Sequence, residues 1–519
     1  MTASSDRSKR HSHSSSGGGD GPPEGVVEDG EVSRAAKSGF EGWLVSKPRA
    51  RRFANQHAVP HHVAEWLLSR HRAEGKSGTE AARKARELLS ERLTKAGDIE
   101  LLKMEASTEG SVRVIDEVEG EFDERRGEPV LRFSELGLKN VPADKEIAED
   151  HPRLLKGGFY AHLQLSYVGD SESGSPFRVA SLQPLAPSGT SLLERLSAGR
   201  KHFSDGAWLY FLVRSIGLAA PSERISPRTA ALALLRLVPL VQKRYSLLEL
   251  GPRGTGKSYL YEDLTPHAYV LQSGKASEAQ LFVHAGTGEA GLIAQYDTVC
   301  FDEVTTTSAE IAGIVSGLKG YLSSGASRRG KEEVRGRASV VFIGNIDRPV
   351  EEVLEDGGHL FAPLPEALGG DTAVMDRISA YVPGWEVPKL GPEHYASGLA
   401  LPSDVLDECL NELREKSYEQ DLKPRISLEG NLTGRDRRAA WQTISGLVKL
   451  IHPSPGSVSS EKVSDEVLRW AAWLGLEMRL RVRAQQRRLQ PEEFEEGDFG
   501  FRVGGDGKTV AVRLPEEQK

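Results

Sequence analysis

An α/β fold, a parallel sheet sandwiched by helices, is predicted for the middle of this chain by three segments in a set order. They are GPRGTGKS at 251–258, FDEV at 301–304 and VFIGN at 341–345. Each ends an apolar run of strand length on glycine or polar residues, the pattern of buried strands that deliver functional groups at one edge of a sheet. The flanking texture predicts an N-terminal α+β domain and a C-terminal helical lid.

Taken in order, residues 1–38 read as a disordered tail, rich in Ser, His and Gly, with no apolar stretch that could serve as a secretory signal. His11 and His13 in it are capable of adventitious metal binding. Order is expected from Gly39, where Phe40, Trp43 and Leu44 form the first apolar cluster. Val63, Trp66 and Leu67 recur at helical spacing, and alternating runs such as FYAHLQLSYV follow between Gly and Pro punctuation. Residues 39–190 therefore read as helices leading into a small β-barrel-like region, a candidate DNA-binding domain. Residues 191–390 hold the nucleotide-binding core, and 391–519 the helical lid and tail.

Composition narrows the classes. The chain has 519 residues, 38% hydrophobic and 27% charged, which excludes a disordered or collagen-like protein. At about 150 residues per domain that length suggests three domains. No apolar run approaches the roughly 20 residues a membrane span needs, so no membrane association is expected. Two cysteines, Cys300 and Cys409, argue against a disulfide framework or a cysteine zinc site and fit a cytoplasmic protein. With a net charge of -8, nucleic acid must be held by local basic patches.

The segment YSLLELGPRGTGKS is a strand followed by a complete phosphate-binding loop, with a helix expected after it. Gly251, Pro252, Arg253, Gly254, Thr255 and Gly256 would turn backbone N–H groups onto a polyphosphate. Lys257 would reach its outer phosphates, and Ser258 would ligate Mg²⁺. Asp302 would complete the Mg²⁺ site, and Glu303 would orient and deprotonate the attacking water of an ATP hydrolase. Cys300, inside that apolar run, reads as a buried strand residue. Asn345 matches the polar strand end that senses the γ-phosphate in AAA+ ATPases, although an Asx turn would leave the same trace. Arg377, in DTAVMDRISAYVPGW, resembles the arginine that AAA+ rings project onto a neighbour's phosphate; a surface ion pair is the alternative. Arg435 opens an apolar helix, where it would close the lid over the nucleotide; Arg437 and Arg438 compete for that role.

Basic residues cluster in SSGASRRGKEEVRGR, read as a hairpin presenting Arg328, Arg329, Lys331, Arg335 and Arg337, with neutralisation by Glu332 and Glu333 as the bland alternative. RLRVRAQQRR at 479–488 reads as an exposed, salt-bridged helix, and KPRARR at 47–52 as a solvated run that could touch phosphates. Trp66, Trp208, Trp441 and Trp470 read as core.

Together GPRGTGKS, FDEV, VFIGN, HLFAPLPEAL, DRISAYVPGWEVPK and GRDRRAAWQTISGLVKLIHP resemble the Lon-related BrxL family of BREX antiphage systems. VPHHVAEWLL, LRFSELGLKNVP and RSIGLA extend that resemblance over roughly residues 50–490. It implies an AAA+ core similar to MCM helicases and Lon, ATP and Mg²⁺ as cofactors, hexameric rings or stacked hexamers around DNA, and other BREX defence proteins as partners. It also implies that the hairpin points into the ring's pore and contacts backbone phosphates without sequence preference. Longer relatives carry a Lon-type protease-like domain after the lid. This sequence ends at Lys519 without room for one, so peptidase activity is not expected. An ATP-driven protein unfoldase working with a separate protease and a non-motor, ATP-gated DNA clamp are the rival readings.

Overall fold

The computed structural model describes residues 27–515 apart from 58, 74–77, 93–95, 156–157, 170–173, 186–191, 273–275, 285–287, 289, 307–308, 330–331, 459–462 and 505–506. Most of the predicted disordered tail therefore lies outside the described residues. Its last part does not fit that expectation, because Asp29–Gly39 is a helix. Only Val32 and Ala36 of that helix are buried, with Phe40 just after it, and its other positions are largely polar. Such a sparse apolar stripe is hard to see in composition, yet it joins the largest core of the molecule. The Phe40 ring stacks on Phe211 at 5.5 Å, and Val45–Ser46 pairs antiparallel with Leu399–Ala400.

Alternating runs in the N-terminal half make a five-stranded antiparallel sheet. Its order is Val141–Pro142, Glu128–Phe133, Ser111–Asp123, Phe159–Tyr167 and Phe177–Pro184. A bridge between Ala143 and Val179 joins the two outer strands, giving the sheet a barrel-like closure.

Five parallel strands form the central sheet, in the order Ala380–Pro383, Ser246–Gly251, Ser339–Asn345, Thr298–Phe301 and Ala268–Leu271. All six residues of Ser246–Gly251 are buried, as expected of a parallel strand covered on both faces. Cys300 is fully buried in its strand, and burial pushes its thiol well above its ordinary value. The four tryptophans assigned to core are buried.

Beyond the sheet, helices Ser403–Arg414, Gly434–Ile451 and Asp465–Leu489 pack with a small antiparallel sheet of Ile426–Gly430, Phe499–Val503 and Val510–Val512. Asp465–Leu489 departs from its predicted exposure: Arg479, Arg481 and Arg483 are 0%, 3% and 7% exposed. Arg479 Nε and Arg483 meet Asp436 at 2.8 and 2.5 Å, and Arg481 meets Glu477 at 2.7 Å. These cations are internal cross-links, which an alternation of arginines with apolar residues conceals. Lys47 of the early basic run is likewise buried against Glu65, at 2.9 Å. No helix among the described residues is long and apolar enough to cross a membrane.

Candidate nucleotide site

The strand Ser246–Gly251 runs into the phosphate-binding loop at the C-terminal end of the sheet. Gly254 and Gly256 take φ of 83° and 70°, which a side chain would strain. A Cβ on Gly251 would lie 2.4 Å from the Gly384 carbonyl carbon. The helix expected after the loop is a single π-helical turn, Leu260–Leu264, stopped by Thr265 and Pro266. Attraction for phosphate must therefore come from loop N–H groups and Lys257, since a macrodipole needs a longer helix.

Lys257 is 7% exposed, and its Nζ donates to Gly251 O at 3.0 Å, Pro252 O at 2.7 Å and Asn345 Oδ1 at 3.3 Å. All three acceptors are neutral, so the ammonium charge is left for an anion. Burial pulls its pKa below the ordinary lysine value, an effect the Glu249 charge opposes. Ser258 Oγ donates to Asp302 Oδ2 at 2.7 Å, a hydroxyl–carboxylate pair of the kind that holds Mg²⁺ through oxygen ligands. Asn345 stands level with Gly251 in the parallel register, and its N–H reaches Thr305 Oγ1 at 3.4 Å. Glu303 is exposed and sits at φ 51°, a left-handed conformation uncommon outside glycine, while its N–H caps Asp302 Oδ1 at 2.8 Å. These residues fit a magnesium-bound triphosphate: Ser258 and Asp302 would hold the metal, which would neutralise charge on the outer phosphates.

Two residues missed by the sequence reading brace the loop. Arg236 holds Glu249 through Nε at 2.9 Å and its terminal nitrogen at 2.6 Å, and donates to Thr255 O at 3.2 Å. Glu249 is 0% exposed within LLEL, and Arg236 lies within LLRLVPL. A lone charge in each apolar run was the available signal, since a buried charge requires a partner. Beside the loop is a cavity of about 500 Å³ whose walls include Ile216, Gly217, Leu218, Tyr259 and Tyr395. Arg51 lies 4.3 Å over the Tyr395 ring and lines it too, so this arginine of the early basic run faces the nucleotide side.

Arg377 and Arg435 lie at the other end of the sheet. Ser246 Oγ, on the first residue of the loop strand, donates to the Arg377 carbonyl, while the Arg377 guanidinium folds back on Ala373 O. Five residues of strand at about 3.3 Å each separate that end from the P-loop by roughly 17 Å. Arg435 corrects the expected lid: it pairs with Asp376, beside Arg377, and does not reach over this chain's own loop. The cause is the helix start, fixed by the Thr433–Asp436 capping box and by Arg479, which bridges Asp436 and Asp376 at 2.8 Å each. Arg437 is turned to Leu428 O at 2.8 Å.

The basic hairpin forms as expected, Ala326–Arg329 against Glu332–Arg335. Arg328, Arg335 and Arg337 side chains are 80%, 83% and 71% exposed. Glu333 nevertheless accepts from Arg328 at 2.6 Å and Arg335 at 3.1 Å, and these bonds hold its carboxyl below the usual range. Arg337 approaches Glu415 at 3.5 Å. Lys331 and the Arg329 side chain lie outside what is described.

Comparison with known proteins matches residues 177–500 to the model for "Lon-like protease BrxL-like, ATPase domain" and 38–167 to "BREX system Lon protease-like protein BrxL N-terminal". The chain belongs to the BrxL family. Its BrxL ATPase region contains the loop, both carboxylates and Asn345. The Lon-like protease BrxL of Bacillus cereus (strain H3081.97) is 34% identical over 482 residues, 92% of this chain and 70% of that protein. The Lon-like protease BrxL of Escherichia coli O9:H4 (strain HS) is 32% identical over 481 residues, 92% and 68% of the two chains. A full-length MCM homolog from Methanopyrus kandleri overlaps 82% of this chain and 99% of its own, with TM-score 0.39 and 12% identity, too slight a likeness to bear on fold or function. BrxL membership supports an AAA+ type ATPase of a BREX system.

Proposed function

We propose that this chain is a ring-forming AAA+ ATPase that hydrolyses Mg²⁺-ATP between neighbouring subunits and couples turnover to DNA held at the basic hairpin, in BREX antiphage defence. The observation that carries the reading is the separation of the P-loop from Arg377 and Arg435 at opposite ends of one sheet. Each chain then holds half of two sites, and a neighbour's arginines complete the one at its loop. In that arrangement Lys257 and the loop N–H groups bind the phosphates and Asn345 positions the γ-phosphate or water. Glu303 takes a proton from the attacking water, and the neighbour's Arg377 neutralises transition-state charge. The base lies in the cavity beside Gly217 and Tyr395.

Mixing two variants tests this. Glu303→Gln and Arg377→Ala should each be inactive alone. At equal amounts they should recover about a quarter of wild-type turnover, because random neighbours place an intact loop against an intact arginine at one interface in four. No recovery on mixing would overturn shared sites. Stimulation by duplex DNA with measured translocation supports a motor, stimulation without translocation a clamp, and stimulation by unfolded protein the unfoldase rival.

A further inference from the structure

A second cavity, of about 480 Å³, separates the N-terminal sheet from the ATPase core. One wall is the helix Ser403–Arg414, on which Asp404, Asp407, Glu408 and Asn411 follow the i, i+3, i+4, i+7 spacing that puts side chains on one face. This polar stripe is turned inward: Asp404 and Asp407 are only 7% and 2% exposed. His267, directly before the strand Ala268–Leu271, meets it. Its Nε2 is 3.4 Å from Asp407 Oδ2 and 3.6 Å from Glu408 Oε1. On the other side of the ring, Asp297 Oδ2 lies 3.5 Å from Nδ1 and is held by Asn411 Nδ2 at 2.6 Å.

We propose that His267 Nε2, Asp407 and Glu408 bind a divalent transition-metal ion, clamping the helix to the base of the ATPase sheet. The three ligand atoms lie within 4.8 Å of one another. Separations of 3.4 and 3.6 Å are long for N–H···O hydrogen bonds. They suit atoms sharing an ion, since two ligands at about 2.0–2.1 Å in a tetrahedral arrangement stand about 3.3 Å apart. At the other nitrogen, Nδ1, Asn411 Nδ2 stands at 3.4 Å and Asp297 Oδ2 at 3.5 Å, so the far side of the ring faces an amide–carboxylate pair. One imidazole with two carboxylates favours zinc or manganese over the all-oxygen sites of magnesium and calcium.

Asp404 is the independent sign that a cation belongs here. It lines the same cavity as Asp407 and Glu408, and neither of its carboxylate oxygens has a hydrogen-bond partner among the described residues. Burial raises its carboxyl to about 8, outweighing the Val405 backbone and the Lys47 charge, which lower it. A carboxylate buried without a partner is stabilised by positive charge placed in the cavity.

The test uses the metal-stripped full chain with His11 and His13 changed to Ala, without nucleotide or Mg²⁺. Equilibrium dialysis against Zn²⁺ and, separately, Mn²⁺ should give one ion per chain for at least one of them and raise the melting temperature. His267→Gln and Glu408→Gln should each lose the ion and the thermal shift, whereas Ser258→Ala should keep both. Metal-free variants that melt with the metal-free parent would show that the fold survives the changes. No uptake by the parent, or uptake undiminished in both variants, would overturn the site.

Discussion

Arg236 grips Glu249 with two guanidinium nitrogens, at 2.9 and 2.6 Å, on the strand that leads into the P-loop. Both side chains are buried, and Arg236 ties the pair to the Thr255 carbonyl in the loop. Arg236→Met should therefore cost about 3–5 kcal/mol, because Glu249 is left as an uncompensated buried charge. Adding Glu249→Leu should recover most of that stability. Urea denaturation of the four species of this cycle measures both effects.

Glu303→Gln keeps the side-chain shape and removes the base. ATP turnover should fall by about 10²-fold or more while nucleotide binding persists. Steady-state hydrolysis and a fluorescent-nucleotide titration on the same sample check the two halves separately. Full residual turnover would remove Glu303 from its assigned role.

Lys449 supplies a pH prediction. It is 1% exposed and donates to Val241 O at 2.7 Å, and burial, with Arg414 and Lys243 nearby, lowers its pKa from 10.5 to about 7. Between about 7 and 10.5 the unfolded chain holds a proton that the folded chain has shed, so this group's contribution to stability rises with pH across that window. Below about 7 the cost of burying the ammonium is fully present. Lys449→Met should thus stabilise the protein near pH 6, by on the order of 2 kcal/mol, with the gain shrinking toward pH 10. Melts across that range read the trend; a gain that grows with pH would contradict it.

Glu333 restrains two exposed arginines of the hairpin. Glu333→Gln should release Arg328 and Arg335, tightening duplex DNA binding and steepening its salt dependence by up to about 0.9 in log–log slope per added phosphate contact. Arg328→Ala with Arg335→Ala should do the opposite. Affinities measured across a salt series distinguish these outcomes from an unchanged line, which would remove the hairpin from the DNA reading.

The loop, Asp302, Glu303 and Asn345 were legible because each ends an apolar strand, and the parallel register then brings the strand ends together. Arg435 was not, because its place depends on Asp376, fifty-nine residues away in the chain, and on arginines of a third segment. Arg479, Arg481 and Arg483 misled for a related reason: charge in a sequence suggests solvent, and only packing reveals a partner. Arg236 and Glu249 left a readable trace as charges in otherwise apolar runs, but their mutual partnership was a matter of three-dimensional proximity.

The polar helix Asp29–Gly39 and the short pairing of Val45–Ser46 with Leu399–Ala400 bear on how this protein can be shortened. Deleting residues up to Gly39 because they look dispensable would uncover aromatic side chains around Phe40 and Trp208. Aggregation of such a trimmed protein would then report a breached interior.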